Sequence, residues 1–242
     1  MNAYAAKPLI FCAVDTPDIE RAKNLAGVLA RTGCGLKLGL EFFSTNGPQG
    51  VRAVTGAYPD LPLFLDLKFH DIPNTVAQAV RSAVQLRPAH LNVHAAGGAA
   101  MMKAAYDAAG DEAARHGMEA PRLLAVTVLT SMDEAALDET GQAGPAAVQV
   151  ERLALLTKNG AGLDGVVCSA HEIETLRRAC GPDFILMVPG IRPAGSATQD
   201  QKRTMTPAQA VKAGATHLVI GRPITGAADP EAAIHAILSE TL

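Results

Sequence analysis

The segment FLDLKFHDIPNTV, residues 64–76, places Asp66, Lys68 and Asp71 within six positions at the end of an apolar run. In an extended chain, a side-chain period of two puts Phe64, Asp66 and Lys68 on one face and Leu63, Leu65 and Leu67 on the other. The leucines read as a face packed against helices, so the charged face points away from that core. Asp66 and Lys68 are then predicted about 7 Å apart along the strand, too far for a tight ion pair but well spaced to flank a small substrate group. A second lysine, Lys37, lies inside GLKLGL, and an ammonium among apolar residues is seldom buried without a partner charge. Placed beside strand three it completes a Lys-Asp-Lys row, with Asp71 as a fourth member if the chain brings it back. Each opposite neighbour favours the charged form of the next, so the row predicts protonated lysines and ionised aspartates, preformed before a ligand arrives. The bland alternative is a salt-bridge network that merely closes a barrel.

The elements needed to hold these groups alternate along the whole chain. Apolar runs at 9–15, 35–41, 61–68, 90–95, 122–131, 165–170, 184–191 and 216–224 are separated by Ala-rich amphipathic segments, the signature of repeated βα units. About eight strands is the number that closes a parallel barrel, and 242 residues is an ordinary length for one. The expected fold is therefore α/β, a (β/α)8 TIM barrel forming a single domain over 1–242. An open doubly wound sheet is the alternative, but AVDTPDIE after the first strand contains no glycine to cradle a dinucleotide phosphate. Among the helices, DIERAKNLAGVLARTG carries Asp18 in its first turn and Gly33 as a stop, and NTVAQAVRSAVQL opens on Asn74 as the expected cap.

In such a barrel the chemistry sits at the C-terminal strand ends. Polar residues collect there: Asp15 after strand one, Lys37 on two, Asp66 and Lys68 on three, Thr130 and Ser131 after five, Arg192 after seven, and Gly221-Arg222 after eight. The loops after strands seven and eight are the usual phosphate pocket of this architecture, and Arg192 and Arg222 supply cations for it, with Gly221 allowing close backbone approach. RPAGSATQDQKRTMTP, directly after strand seven, has neither helical nor strand pattern and reads as a lid or binding loop over about 192–206. His90, Asn92 and His94 share one face of strand four. The two histidines raise the question of metal, but hydrogen-bonded barrel-layer residues are the better reading for them. His70 is a conceivable general acid, although Lys68 is better placed as proton donor.

Composition narrows the partners. Lys+Arg 21 against Asp+Glu 24 gives a formal net charge of -3, so no diffuse basic field recruits nucleic acid or anionic lipid, and any anion must be bound locally. The first apolar run, Leu9 to Val14, is far too short for a signal or spanning helix, so a soluble cytoplasmic chain without membrane partners is expected. Cys12, Cys34, Cys168 and Cys180 form no C-x-x-C pair and read as small buried thiols.

DLKFHDI resembles the Asp-x-Lys-x-x-Asp-Ile signature of the orotidine 5'-phosphate decarboxylase family. AVD at 13–15, LKLG at 36–39, VHAAGG at 93–98, AVTVLTSM at 125–132, VPGIRPAG at 188–195, DQKRTMTP at 200–207 and VIGRPIT at 219–225 resemble that family's bacterial members, in its order. The Asp-x-Lys-x-x-Asp core is shared with sugar-phosphate decarboxylases of the same superfamily, while PGIRP and IGRPIT together favour the orotidylate branch. The resemblance implies decarboxylation of orotidine 5'-monophosphate to UMP and CO2 in pyrimidine synthesis, without metal or organic cofactor. It implies Lys68 as the ammonium that stabilises and protonates the C6 carbanion, Asp66 facing the departing carboxylate, and Lys37 and Asp15 on the ribose. Thr130 and Ser131 would meet the pyrimidine, Pro189 would line the site, and Gln201, Gly221 and Arg222 would hold the 5'-phosphate, with Arg192 closing from the lid. It further implies a homodimer with shared active sites, in which Asp71, Ile72 and Thr75 complete the partner's site. The rival readings are a Mg²⁺-dependent sugar-phosphate decarboxylase or aldolase and a non-catalytic phosphate-binding barrel.

Overall fold

The computed structural model describes residues 9–142, 144–193 and 205–241. Eight parallel strands, β1 (Leu9–Ala13), β2 (Gly35–Leu38), β3 (Leu63–Phe69), β4 (His90–His94), β5 (Arg122–Val126), β6 (Gly165–Val167), β7 (Ile185–Val188) and β8 (His217–Ile220), pair in chain order. β8 returns to β1 to close the barrel, as expected from the alternation of apolar runs. The strands are shorter than those runs. Leu40 already starts a helix, and residues 127–131 form a loop past β5, because apolarity reports burial whereas a strand also needs a ladder of backbone hydrogen bonds. The helices are α1 (Ile19–Thr32), α2 (Leu40–Thr55), α3 (Pro73–Val84), α4 (Gly98–Arg115), α5 (Glu134–Glu139), α6 (Ala146–Leu155), α7 (Ile173–Cys180), α8 (Pro207–Ala213), α9 (Arg222–Thr225) and α10 (Pro230–Glu240). Among the described residues no helix is long and apolar enough to cross a membrane.

Two packed layers set which way each strand residue points. Leu63, Leu65 and Leu67 belong to the larger core between sheet and helices, where removing a leucine side chain from water contributes about 2 kcal/mol. Phe11, Ala13, Phe64, Leu124, Met187 and Val219 fill the barrel interior. The His90 ring stands edge-on to Phe11 at 5.1 Å and to His217 at 4.9 Å, so His90 is a barrel-layer residue. Gly35 makes room for that layer, since a Cβ there would come within 2.3 Å of the Phe11 ring. All four cysteines are buried and free.

The local signals at α1 act as expected. The Asp18 carboxylate accepts from the Glu20 and Arg21 amides at 2.9 and 3.1 Å, and Gly33 ends the helix in the left-handed region at φ 71°. The expectation for α3 fails. Asn74 is not its cap: Pro73 occupies the first turn and Ile72 the N-cap position, with no side-chain cap bond. Proline's fixed φ and missing N–H suit the first helical turn and start the helix earlier than the Asn signal suggests. At the opposite end of the barrel, the Arg177 guanidinium on α7 donates to the carbonyls of Gly181, Pro182, Phe184 and Gly214. It ties the turn before β7 to the turn before β8. Gln201 and most of the lid expected over about 192–206 lie outside the described residues; the Arg192 amide donates to the Met205 carbonyl at 3.0 Å, so the two stems of that segment meet.

Candidate active site

The parallel barrel puts every strand's C-terminal end at one mouth, and the charged row lies there. Lys37 is buried in β2. Its ammonium lies 3.1 Å from Asp15 Oδ1 and 3.5 Å from Asp66 Oδ2, which supplies the partner charge its apolar setting demands. Gly39, two residues on, leaves the space for it, because a Cβ there would lie 3.0 Å from Lys37 Nζ and 3.5 Å from Asp15 Oδ1. Asp66 accepts from Lys68 Nζ at 2.6 Å and from Asn92 Nδ2 at 2.7 Å. The row is thus continuous, from Asp15 through Lys37 and Asp66 to Lys68.

The expected 7 Å gap between Asp66 and Lys68 is corrected to a direct ion pair of 2.6 Å. A regular strand would keep them that far apart, and β3 is not regular. Lys68 has φ 51°, in the left-handed region, at a cost of about 1–2 kcal/mol for a residue with a Cβ. Four residue steps on β3, Leu65 to Phe69, face two on β4, Leu91 to Val93, so the chain bulges where the lysine stands. The bulge turns the lysine stem back along the mouth, and its flexible methylenes bring the ammonium onto the carboxylate.

Burial by itself would push the Asp66 carboxyl up, but Lys37 first, then Lys68 with its hydrogen bond, and the Asn92 amide outweigh it and hold the group below the usual carboxylate range. Asp66 is therefore an anion fixed between two cations, as the alternation of charges predicted. This pre-organised pair can stabilise a negative charge that develops within reach of Lys68 and supply it with a proton.

Asp71 does not return to the row. It lies past the end of β3, exposed, with its carboxylate accepting from the Ile72 amide at 2.6 Å. Ile72 is 67% exposed, and Thr75 is exposed beside it on the first turn of α3. Thr130 and Ser131 lie exposed in the loop after β5, beyond the strand they were expected to end. Pro189 follows β7 and is half-buried, and Arg192 is buried, with Nη1 donating to the Ile191 carbonyl at 3.0 Å. Gly221 is the N-cap of α9 and packs against Ala13 of β1, and Arg222 follows it, exposed. Arg192 and Arg222 thus follow neighbouring strands, β7 and β8, at the same mouth.

The histidines of β4 part company. His94 stacks on His70 at 5.3 Å near the mouth, while His90 sits in the interior layer. Burial, then His70, then Lys68 lower the His94 imidazole. Asn92, fully buried between them, has a place in the site that its position on the strand four face does not by itself assign. The available signal was a lone amide on the inward face of an otherwise apolar strand centre, a group that needs partners when buried.

Comparison with known proteins accords with this geometry. The sequence matches the Orotidine 5'-phosphate decarboxylase / HUMPS family over residues 8–237. It is 57% identical over 231 residues to the orotidine 5'-phosphate decarboxylase of Rhodospirillum rubrum, covering 96% of this chain and 93% of the relative. It is 52% identical over 236 residues to that of Moorella thermoacetica, covering 97% and 92%. Among solved structures, orotidine 5'-phosphate decarboxylase from Lactobacillus acidophilus superposes with a TM-score of 0.84 at 37% identity, covering 97% of this chain and 99% of that one. With a closed eight-stranded barrel, the charged row at its mouth and this likeness along nearly its whole length, the chain belongs to the orotidine 5'-phosphate decarboxylase / HUMPS family.

Proposed function

We propose that this chain decarboxylates orotidine 5'-monophosphate to UMP and CO2, a step of pyrimidine nucleotide synthesis in the cytoplasm, with Lys68 as the catalytic ammonium. Family membership and the names of its full-length relatives support the reaction. The Lys37–Asp66–Lys68 row supports the roles. When the C6 carboxylate leaves as CO2, the bonding electron pair stays on C6 in the plane of the ring, where it cannot spread into the π system. Only a nearby fixed charge stabilises it, and Lys68 carries that charge. The lysine then gives a proton to C6, forming UMP, and the neutral amine regains one from water. Asp66 holds Lys68 at its station and lies where the substrate carboxylate would arrive; its fixed negative charge favours departure of CO2 over retention.

The rest of the mouth divides by chemistry. Lys37 and Asp15 offer a donor and an acceptor to the ribose hydroxyls. Thr130, Ser131 and Pro189 face the pyrimidine, and Arg222 with Gly221, Gln201 and Arg192 take the 5'-phosphate, Arg192 acting from a lid over 192–206. Phosphate contacts far from C6 then supply binding energy that helps assemble the site and exclude water. The working unit is a homodimer in which Asp71, Ile72 and Thr75 enter the partner's site, a role suited to an isoleucine left 67% exposed on the rim.

The test is direct. Purified protein is incubated with orotidine 5'-monophosphate in excess EDTA, and UMP is followed. EDTA-resistant UMP formation that disappears in Lys68→Ala, with the variant still folded and still binding UMP, is expected. Turnover that EDTA abolishes points to the metal-dependent branch, and UMP binding without CO2 release to a non-catalytic barrel.

A further inference from the structure

We propose that Asn92 is a positioning residue for Lys68 and Asp66. Its geometry stands independently, while its catalytic consequence rests on the decarboxylase reading above. Asn92 lies at the centre of β4 and is 0% exposed. Its Oδ1 accepts from the Lys68 backbone N–H at 2.8 Å, and its Nδ2 donates to Asp66 Oδ1 at 2.7 Å. One amide therefore clamps the backbone of the lysine and the side chain of the aspartate that receives that lysine's ammonium.

Both ends of the clamp answer a need created by the bulge. The register of β3 on β4 runs Leu65↔Leu91 and then Phe69↔Val93, which leaves residues 66–68 without ladder partners on β4. The Lys68 N–H would be an unsatisfied donor, and Asn92 supplies the acceptor that the ladder does not. The left-handed conformation of Lys68, disfavoured for a lysine, is held by this bond. It sets the direction in which the side chain leaves the strand. At the other end, Asp66 Oδ1 receives both Asn92 Nδ2 and Lys68 Nζ, which leaves Oδ2 turned to Lys37 at 3.5 Å.

The residue type is tightly constrained. A flipped amide would set donor against donor at Lys68 and acceptor against acceptor at Asp66, so the partners fix its orientation. Leucine fills the space but offers neither group. Aspartate keeps the acceptor and loses the donor, and once ionised it sets a second carboxylate against Asp66.

The experiment compares wild type, Asn92→Leu and Asn92→Asp. In Asn92→Leu, kcat for orotidine 5'-monophosphate is expected to fall on the order of 10²-fold, the effect of misplacing a reacting group by about 1 Å. The UMP dissociation constant should stay within about threefold, because Asn92 acts on the reacting groups and not on phosphate or ribose contacts. Asn92→Asp should lose at least as much, and more at pH 8 than at pH 6, as its added carboxyl ionises against Asp66. Crystal structures of the variants should show Lys68 out of the left-handed region and its ammonium away from Asp66. The inference is overturned by a wild-type kcat in either variant at pH 8, by UMP affinity falling in step with kcat, or by an unmoved Lys68. If wild type itself fails to turn over orotidylate, the decarboxylase reading falls, and the position of Lys68 in the variant crystals still decides the role of Asn92.

Discussion

Replacing Lys37 by methionine separates electrostatic stabilisation from packing, because the stem is replaced and only the charge is lost. Lys37 Nζ lies 3.5 Å from Asp66 Oδ2, with both side chains mostly buried at 9% and 13% exposure. At an effective dielectric of about 20 this is roughly 5 kcal/mol of gross attraction. Much of it is offset, since methionine does not carry the desolvation cost of a buried ammonium. Asp66 also keeps Lys68 at 2.6 Å and Asn92 at 2.7 Å. The other partner, Asp15, is 56% exposed, and water replaces the lost cation there at little cost. A net loss of about 1–3 kcal/mol at neutral pH follows, or about 3–10 °C in Tm for a chain of this size. The pH dependence carries the sign. The Asp66 carboxyl is held below its ordinary value of 3.8, so its contribution is present above that value and lost as pH falls through the lower folded pKa. Without Lys37 the Asp66 pKa rises, and the deficit of the variant is largest at neutral pH and shrinks as acid protonates Asp66. Thermal melts of both proteins from pH 7 down to pH 4 measure it. No deficit at pH 7, or a deficit that grows as the pH falls, would refute the electrostatic account of the row.

Acid stability is expected to depend on the interior histidines. Burial, then His217 and Arg122, bring His90 down to about 3, and burial brings His217 down to about 4, from an ordinary 6.5. Each imidazole is neutral in the fold, so its contribution is complete above pH 6.5 and is lost as pH falls below it, at about 1.4 kcal/mol per pH unit for each. Tm against pH should drop steeply below pH 6.5, and less steeply in His217→Gln; identical limbs would count against this cause. Arg177→Met, which strips four carbonyls of their guanidinium, should lower stability by about 2–4 kcal/mol in urea unfolding. Arg177→Lys should recover only part, because an ammonium cannot reproduce the planar fork. Mixing inactive Lys68→Ala and Asp71→Asn chains should restore part of the activity through heterodimers with one intact site. No recovery despite chain exchange, read by native mass spectrometry, argues against a shared site.

The barrel was legible in the chain because burial periodicity is local. Leu63, Leu65 and Leu67 alternate with Phe64, Asp66 and Lys68, and the two sets do part into the outer core and the barrel side of β3. Charge pattern is equally local, so the need of Lys37 for a buried partner could be read before Asp15 and Asp66 were found beside it. What remained out of reach depends on neighbours distant in sequence. Asn74 is not the cap of α3, because proline geometry outweighs side-chain capping there. The Asp66–Lys68 contact of 2.6 Å exists because β3 bulges against β4 and Lys68 turns left-handed, a departure from strand geometry that the residues themselves do not announce. Asn92 gains its role only in the fold, which brings it from 24 positions away onto the Lys68 amide. The chain's local chemistry thus determined which charges would gather at the barrel mouth. Only the tertiary structure decided their distances, because a few ångströms across a site are set by strand register and by the amide that holds a strained lysine in place.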